Sequence, residues 1–233
     1  MQPRFLSTRQ AAALLGISEA SIKRFCDART IPCLRKGRAR RLDLRDLIAV
    51  LRRRDPAEKL PASSDAFARA IETGRLDSCA LRVAELCLEG LPLVRCFDTL
   101  LVPARAVPGV VPLVRRIEGL ASVTIRSRRA PVVIASGTDP AAAADVAMAA
   151  VTIRARGFAP LTTPPGTRAA QLANVVRQTG AVFVVLTGPN SELHPLVSDL
   201  GPSKVLVLSL GRGQSARNVF EDLDARLRAL PLG

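Results

Sequence analysis

Residues 6–47 read LSTRQAAALLGISEASIKRFCDARTIPCLRKGRARRLDLRDL, and the order of caps, apolar positions and basic residues along this run decides the fold of the amino-terminal part. Ser7 can cap a short helix through Leu15, with Ala11, Leu14 and Leu15 on one face and Gly16 closing it. Ser18 then caps a second helix. At 100° per residue Ile22, Phe25 and Cys26 cluster on one side, and Ala20, Lys23, Arg24 and Asp27 lie opposite. The tight turn Gly16-Ile17-Ser18 makes the pair a helix-turn-helix, whose second helix can lay basic side chains against a major groove. Residues 31–42 predict a hairpin with Gly37 at its turn, a wing. Asp43 can cap a third helix with Leu44, Leu47, Ile48 and Leu51 on one face and Arg52, Arg53 and Arg54 at its end.

The charge follows the same division. The chain has 233 residues, with 34 Lys plus Arg against 20 Asp plus Glu, formally +14, and a sequence pI near 11.2. Residues 1–60 hold 15 basic against 6 acidic residues, net +9, which leaves +5 for the remainder. With 48% apolar residues the chain can bury one large core or two modest ones, which excludes a disordered chain or a disulfide mini-protein. A dense basic patch draws in polyanions, because neutralised phosphates release condensed counterions. An acidic membrane surface fits less well: there is no Trp or Tyr, and Gly16, Pro32 and Gly37 interrupt the basic stretch. The missing aromatic platforms also disfavour RNA and single strands. Double-stranded DNA is the expected partner. The uncharged apolar run 178–191 is too short to span a bilayer, and residues 1–30 lack the apolar block of a secretory signal. The expected location is therefore the cytoplasm, in association with the nucleoid, with no membrane partner. Five cysteines (Cys26, Cys33, Cys79, Cys87, Cys96) never spaced C-x-x-C predict free thiols and no zinc site.

The run quoted above, extended to residues 5–51, resembles the MerR and excisionase type of winged helix-turn-helix. Phe25 stands where that pattern usually has Trp or Tyr. The resemblance implies that Ser21, Lys23 and Arg24 meet DNA from the recognition helix, and Arg35, Lys36, Arg38, Arg40 and Arg41 from the wing. The competing reading of these arginines is a solvated basic face.

Beyond the first domain, 1–55, the polar, proline-marked residues 56–65 read as a linker between separately folding units. Residues 66–115 form a helical segment, with helices expected over 66–73 and 77–90, capped by Asp65 and Asp77 and closed by Gly74 and Gly90, and a third after Pro92. Pro103, Pro108 and Pro112 disfavour one long helix, and residues 122–126 alternate like an edge strand. From Pro131, apolar runs at 132–135, 158–162, 181–186 and 204–210 alternate with helical stretches at 140–156, 167–179, 192–200 and 218–230. Strict alternation implies a parallel, doubly wound α/β sheet over 116–233, and ligands in such sheets sit at the carboxyl ends of the strands. The fold class expected is thus multi-domain: a winged helix-turn-helix, a helical middle and a carboxyl-terminal α/β sheet.

The helical stretch DSCALRVAELCLEGLPLVRCFDTLLVPA and the step Arg156-Gly157-Phe158 resemble the cobalamin-binding region of MerR-type light-sensing repressors. That family places its cobalt-binding histidine in D-x-H-x-x-G, whereas residues 138–144 read TDPAAAA, without histidine. The resemblance implies a retained fold without histidine-ligated cobalamin, and no cofactor or metal is expected. His194, the single histidine, cannot build a multi-histidine site, and no G-x-S-x-G elbow is present. Gly211-Arg212-Gly213-Gln214 lacks the features of a phosphate loop. No catalytic residue is expected, and the chain reads as a regulator, not an enzyme. A sequence-specific DNA-binding transcriptional regulator, acting as a homodimer with the carboxyl-terminal half serving association, a protein partner or sensing, is the leading expectation. The alternatives are a sensor with another small molecule at the strand ends, and a cobalamin-dependent enzyme or carrier subunit.

Overall fold

The structure, a computed structural model, describes residues 5–37, 39–54, 60–121, 130–136, 140–181, 183–187, 204–207 and 219–230. It opens with a strand the sequence did not announce, β1 (Phe5–Ser7). Ser7 ends it and starts α1 (Thr8–Leu15): its hydroxyl accepts from the Gln10 N–H at 3.2 Å, and the Gln10 side chain accepts from the Ser7 N–H at 2.8 Å. This capping box satisfies two amide donors reciprocally. Gly16, at φ +63°, closes α1 in the left-handed conformation. The Ser18 hydroxyl accepts from the Ser21 N–H at 3.1 Å and starts α2 (Glu19–Asp27).

The wing is β2 (Leu34–Lys36) and β3 (Ala39–Asp43), antiparallel, with Arg35 opposite Arg40 and Gly37 at φ +60° in the turn. β1 pairs the other edge of β3, giving the order β1-β3-β2. The Asp43 carboxylate accepts from the Arg45 N–H at 2.9 Å at the start of α3 (Leu44–Arg54).

In the helical middle, α4 (Ser64–Glu72) is capped by Ser63, not by the expected Asp65, which lies in the first turn. α5 (Leu76–Leu88) has no side-chain cap; Asp77, the expected cap, lies within its first turn and forms an ion pair with Arg116 instead. α6 (Leu93–Cys96) continues into a wide π turn over Phe97–Leu101. α7 (Val110–Ala121) then runs through residue 115, so a boundary there would cut a helix. Pro112 does not break it, because a first-turn N–H has no intrahelical acceptor to lose. The strand expected at 122–126 lies outside the described residues.

The remaining elements are β4 (Pro131–Ser136), α8 (Pro140–Ala155), β5 (Ala159–Thr162), α9 (Ala169–Thr179), β6 (Phe183–Thr187), β7 (Lys204–Val207) and α10 (Val219–Ala229). All strand pairs are parallel, in the order β5-β4-β6-β7. Alternate residues point to opposite faces. Val132, Ile134, Phe183 and Val185 therefore join Met148 and Ala149 of α8, while Val133, Ala135, Val184 and Leu186 pack with Leu172 and Val176 of α9. The helix expected at 192–200, His194 and residues 211–214 lie outside the described residues.

One continuous core joins Leu6, Leu14, Ile22 and Leu47 to Phe67, Val83, Ile117, Met148 and Phe220. The helix-turn-helix, the helical middle and one face of the sheet are thus packed together. The polar composition of 56–65 suggested separation, yet Leu60 within it is buried. Asp98 ties the ends of this core. Its two carboxylate oxygens accept from the Phe220 and Glu221 N–H groups at 2.9 and 3.0 Å and cap α10. Burial pushes its carboxyl above the ordinary range, against the pull of those two N–H groups.

Candidate nucleic-acid interface

The two helices of the amino-terminal unit are locked by polar contacts at their starts. The Thr8 hydroxyl donates to Glu19 at 2.7 Å. That bond, with Lys23 as the next cause, holds the Glu19 carboxyl below its usual range. Ile22 and Cys26 are buried and Phe25 is partly buried against the core, so α2 turns Ala20, Lys23, Arg24 and Asp27 outward.

Along that face Ser21 is half-buried, with its hydroxyl 2.9 Å from the Ser18 hydroxyl and accepting from Arg24 Nη2 at 3.3 Å. Arg24 is thereby oriented at the exposed surface. Lys23 Nζ lies 3.1 Å from Glu19, both side chains about half-exposed, and such a surface pair is weak enough to exchange for a phosphate.

Asp27, on the last turn of α2, gathers the wing. Arg35 Nη2 lies 3.1 Å from it, with the Arg35 side chain 67% exposed. Arg40 is held more closely. Its Nη1 donates to the Lys23 carbonyl at 2.8 Å and to Asp27 Oδ2 at 3.1 Å, its Nη2 lies 2.9 Å from Asp27 Oδ1, and its side chain is only 22% exposed. Its guanidinium thus braces the wing against α2.

Strand alternation places Arg41 on the face of β3 opposite to Arg40 and the buried Leu42,. The fold therefore brings Ser21, Lys23, Arg24, Arg35 and Arg40 together and leaves Arg41 on the other side of the ribbon. Arg38 and the Lys36 side chain lie outside the described residues. Sequence reasoning missed Asp27 as the organiser of the wing, although an acidic residue on an otherwise basic helix face was the available signal.

The Cys26 thiol is pushed up by burial and by its hydrogen bond with Cys33, away from thiolate reactivity,. Among the described residues no cluster of His, Cys, Asp or Glu could hold a metal ion, and no helix is long and apolar enough to cross a membrane. All five cysteines are free.

Residues 5–55 match a family described as a helix-turn-helix domain. The transcriptional repressor DcmR of Methylorubrum extorquens (strain DSM 6343 / CIP 106787 / DM4) is 46% identical over 50 residues, which cover 21% of this chain and 19% of that protein. The match thus spans about a fifth of the relative's length. The amino-terminal unit is a helix-turn-helix domain, joined to a helical body and a small parallel sheet.

Proposed function

We propose that the chain is a sequence-specific, duplex-DNA-binding transcriptional regulator of the MerR type, with α2 reading the major groove and the wing gripping the flanking backbone. The observation that carries this reading is the coincidence of the helix-turn-helix match with an exposed Lys23 and Arg24 on α2, beside a wing bearing exposed Arg35. The proposed contacts are Ser21, Lys23 and Arg24 from α2 and Arg35, Lys36, Arg38 and Arg41 from the wing, with Arg40 as a positioning residue. The relative's description as a transcriptional repressor supports the same class of function.

The rest of the chain serves association into a homodimer or sensing of a partner or signal, and the protein is not an enzyme. It works in the cytoplasm. Its sheet belongs to a doubly wound unit similar to cobalamin-binding domains, with helices on both faces. Histidine-ligated cobalamin does not fit it: with Asp139 at the start of D-x-H-x-x-G, the histidine's place in the first turn of α8 is taken by Ala141, which has only a methyl group to offer.

Mapping genomic occupancy of the full chain, followed by anisotropy titrations on the recovered site at several salt concentrations, tests the reading. Discrete sites and an affinity falling with log salt by about 0.9 per phosphate contacted are expected. Uniform occupancy, or affinity indifferent to salt, would overturn it.

A further inference from the structure

We propose that a cleft between α3, α6 and the ends of α8 and α10 is a binding site for a small amphipathic carboxylate. The cleft encloses about 500 Å³, within the range of small-molecule pockets. Most of its wall is apolar and comes from four helices, with Leu88, Val94, Leu120 and Val151 representative. Its charged lining side chains are Arg45, Arg156, Asp224 and Arg228.

Three of these four side chains are cationic. The Asp224 carboxylate, with 4% of its side chain exposed, is held by two guanidinium groups: Arg156 through Nε and Nη2, and Arg228 through Nε at 3.0 Å and Nη2. Arg45, which also lines the cleft, adds a second exposed guanidinium beside that of Arg228. Arg228 remains 63% exposed while bonded to Asp224, so part of its fork of five N–H donors stays open to the cleft. An occupant that satisfies both parts carries an anionic oxygen pair for the arginine fork and an apolar body for the helical walls. A cation is repelled by Arg45 and Arg228, and a neutral alcohol brings no charge to their guanidinium groups.

The location differs from the strand ends where ligands of parallel sheets usually sit. α8 starts beyond the carboxyl end of β4 and runs back along the sheet, so its last residues from Val151 to Ala155, and Arg156 just beyond them, lie at the opposite edge. Arg45 stands in the first turn of α3, two residues after the end of the wing. A carboxylate bridging Arg45 and Arg228 would join the DNA-reading unit to the last helix of the chain. The site itself stands whether or not the chain binds DNA, and its test reads ligand binding alone.

Calorimetric titration of the full chain with decanoate, decan-1-ol and decylammonium decides it. Saturable binding of one decanoate per chain is expected, with the alcohol and the amine weaker by about tenfold or more, as befits a charge-assisted bond. Arg45→Gln and Arg228→Gln, both on exposed side chains, should each weaken decanoate and leave the far-ultraviolet circular dichroism unchanged. Ala155→Trp should block the cleft; if that variant does not fold, the two arginine variants carry the test. Absence of saturable decanoate binding overturns the proposal. So does equal affinity for decanol, or undiminished decanoate binding in both arginine variants.

Discussion

Replacing Arg40 by alanine separates a brace from a phosphate contact. The variant removes two hydrogen bonds to Asp27 and the Lys23 carbonyl from Nη1, and the ion pair from Nη2. Hydrogen bonds involving a charged group are worth about 1.5–3 kcal/mol when desolvated. Arg40 is 22% exposed, but Asp27 is 52% exposed and regains water when the guanidinium leaves. Discounting for that screening gives a loss of about 1–2 kcal/mol of folding stability. In urea titrations of the full chain this reads as a lower midpoint with an unchanged slope. On DNA, the affinity should fall because the wing loses its register against α2, while the salt slope changes little and Arg40→Lys recovers only part of the loss. The opposite pattern, unchanged stability with a salt slope reduced by about one, would refute the argument and return Arg40 to the phosphate contacts.

Arg24→Ala should weaken the natural site by about 1–3 kcal/mol if the side chain reads a base edge, with the urea midpoint nearly unmoved; anisotropy and unfolding curves on one preparation check both. Asp224→Asn should cost about 2–3 kcal/mol of stability, below the usual figure for breaking a buried pair because Arg228 reaches solvent. Burial raises the Asp224 carboxyl, but Arg156 and Arg228 outweigh it and hold it below its ordinary value. A depressed folded pKa stabilises above the unfolded value and loses that contribution as pH falls through the folded one. The stability gap between the parent chain and the Asp224→Asn variant should therefore persist at neutral pH and vanish only in strong acid, as acid-unfolding curves will show. Gly119→Val should destabilise by about 1–3 kcal/mol through overpacking, since a Cβ at Gly119 already lies 3.2 Å from Gln10 Cβ and 3.4 Å from its Cα; loss of cooperative unfolding without a lower midpoint would contradict this. Cys79, buried and pushed up to about 11, should resist thiol reagents in the folded chain and react promptly in urea.

What the sequence made legible was decided within a few residues. Ser7 and Ser18 each lie three residues from the amide they cap, and Gly16 and Gly37 each carry a left-handed conformation that needs no distant partner. The buried positions of α2 follow from its period. What stayed hidden depended on partners far along the chain. β1 is three residues long, with no alternation to read, and exists because β3 returns beside it. Asp98 could not be read as a cap, since the amides it receives belong to Phe220 and Glu221. Arg40 was visible as one of many basic residues. Its difference from Arg24 arises only when the wing folds back onto Asp27 and excludes water from one guanidinium and not the other. Pro112 misled because proline breaks helix interiors but is tolerated in a first turn.

The packing of α1 on α7 changes what dimeric binding would require. Gln10 donates to the Gly119 carbonyl at 3.3 Å, and a Cβ at Gly16 would come within 3.0 Å of the Arg116 guanidinium carbon. Glycine at both points lets the helix-turn-helix sit against the body with little room to swivel. A reading head on a loose tether tolerates variable distances between half-sites, because the linker absorbs the difference. A head seated in the common core does not. If two copies pair through their bodies, that surface fixes the separation and relative rotation of the two α2 helices, and hence the half-site spacing that can be bound. Such an arrangement also makes the head sensitive to the body. A small change at the α1–α7 seam, or at α3 beside Arg45, moves both reading helices relative to one another and needs no change in any DNA-contacting side chain.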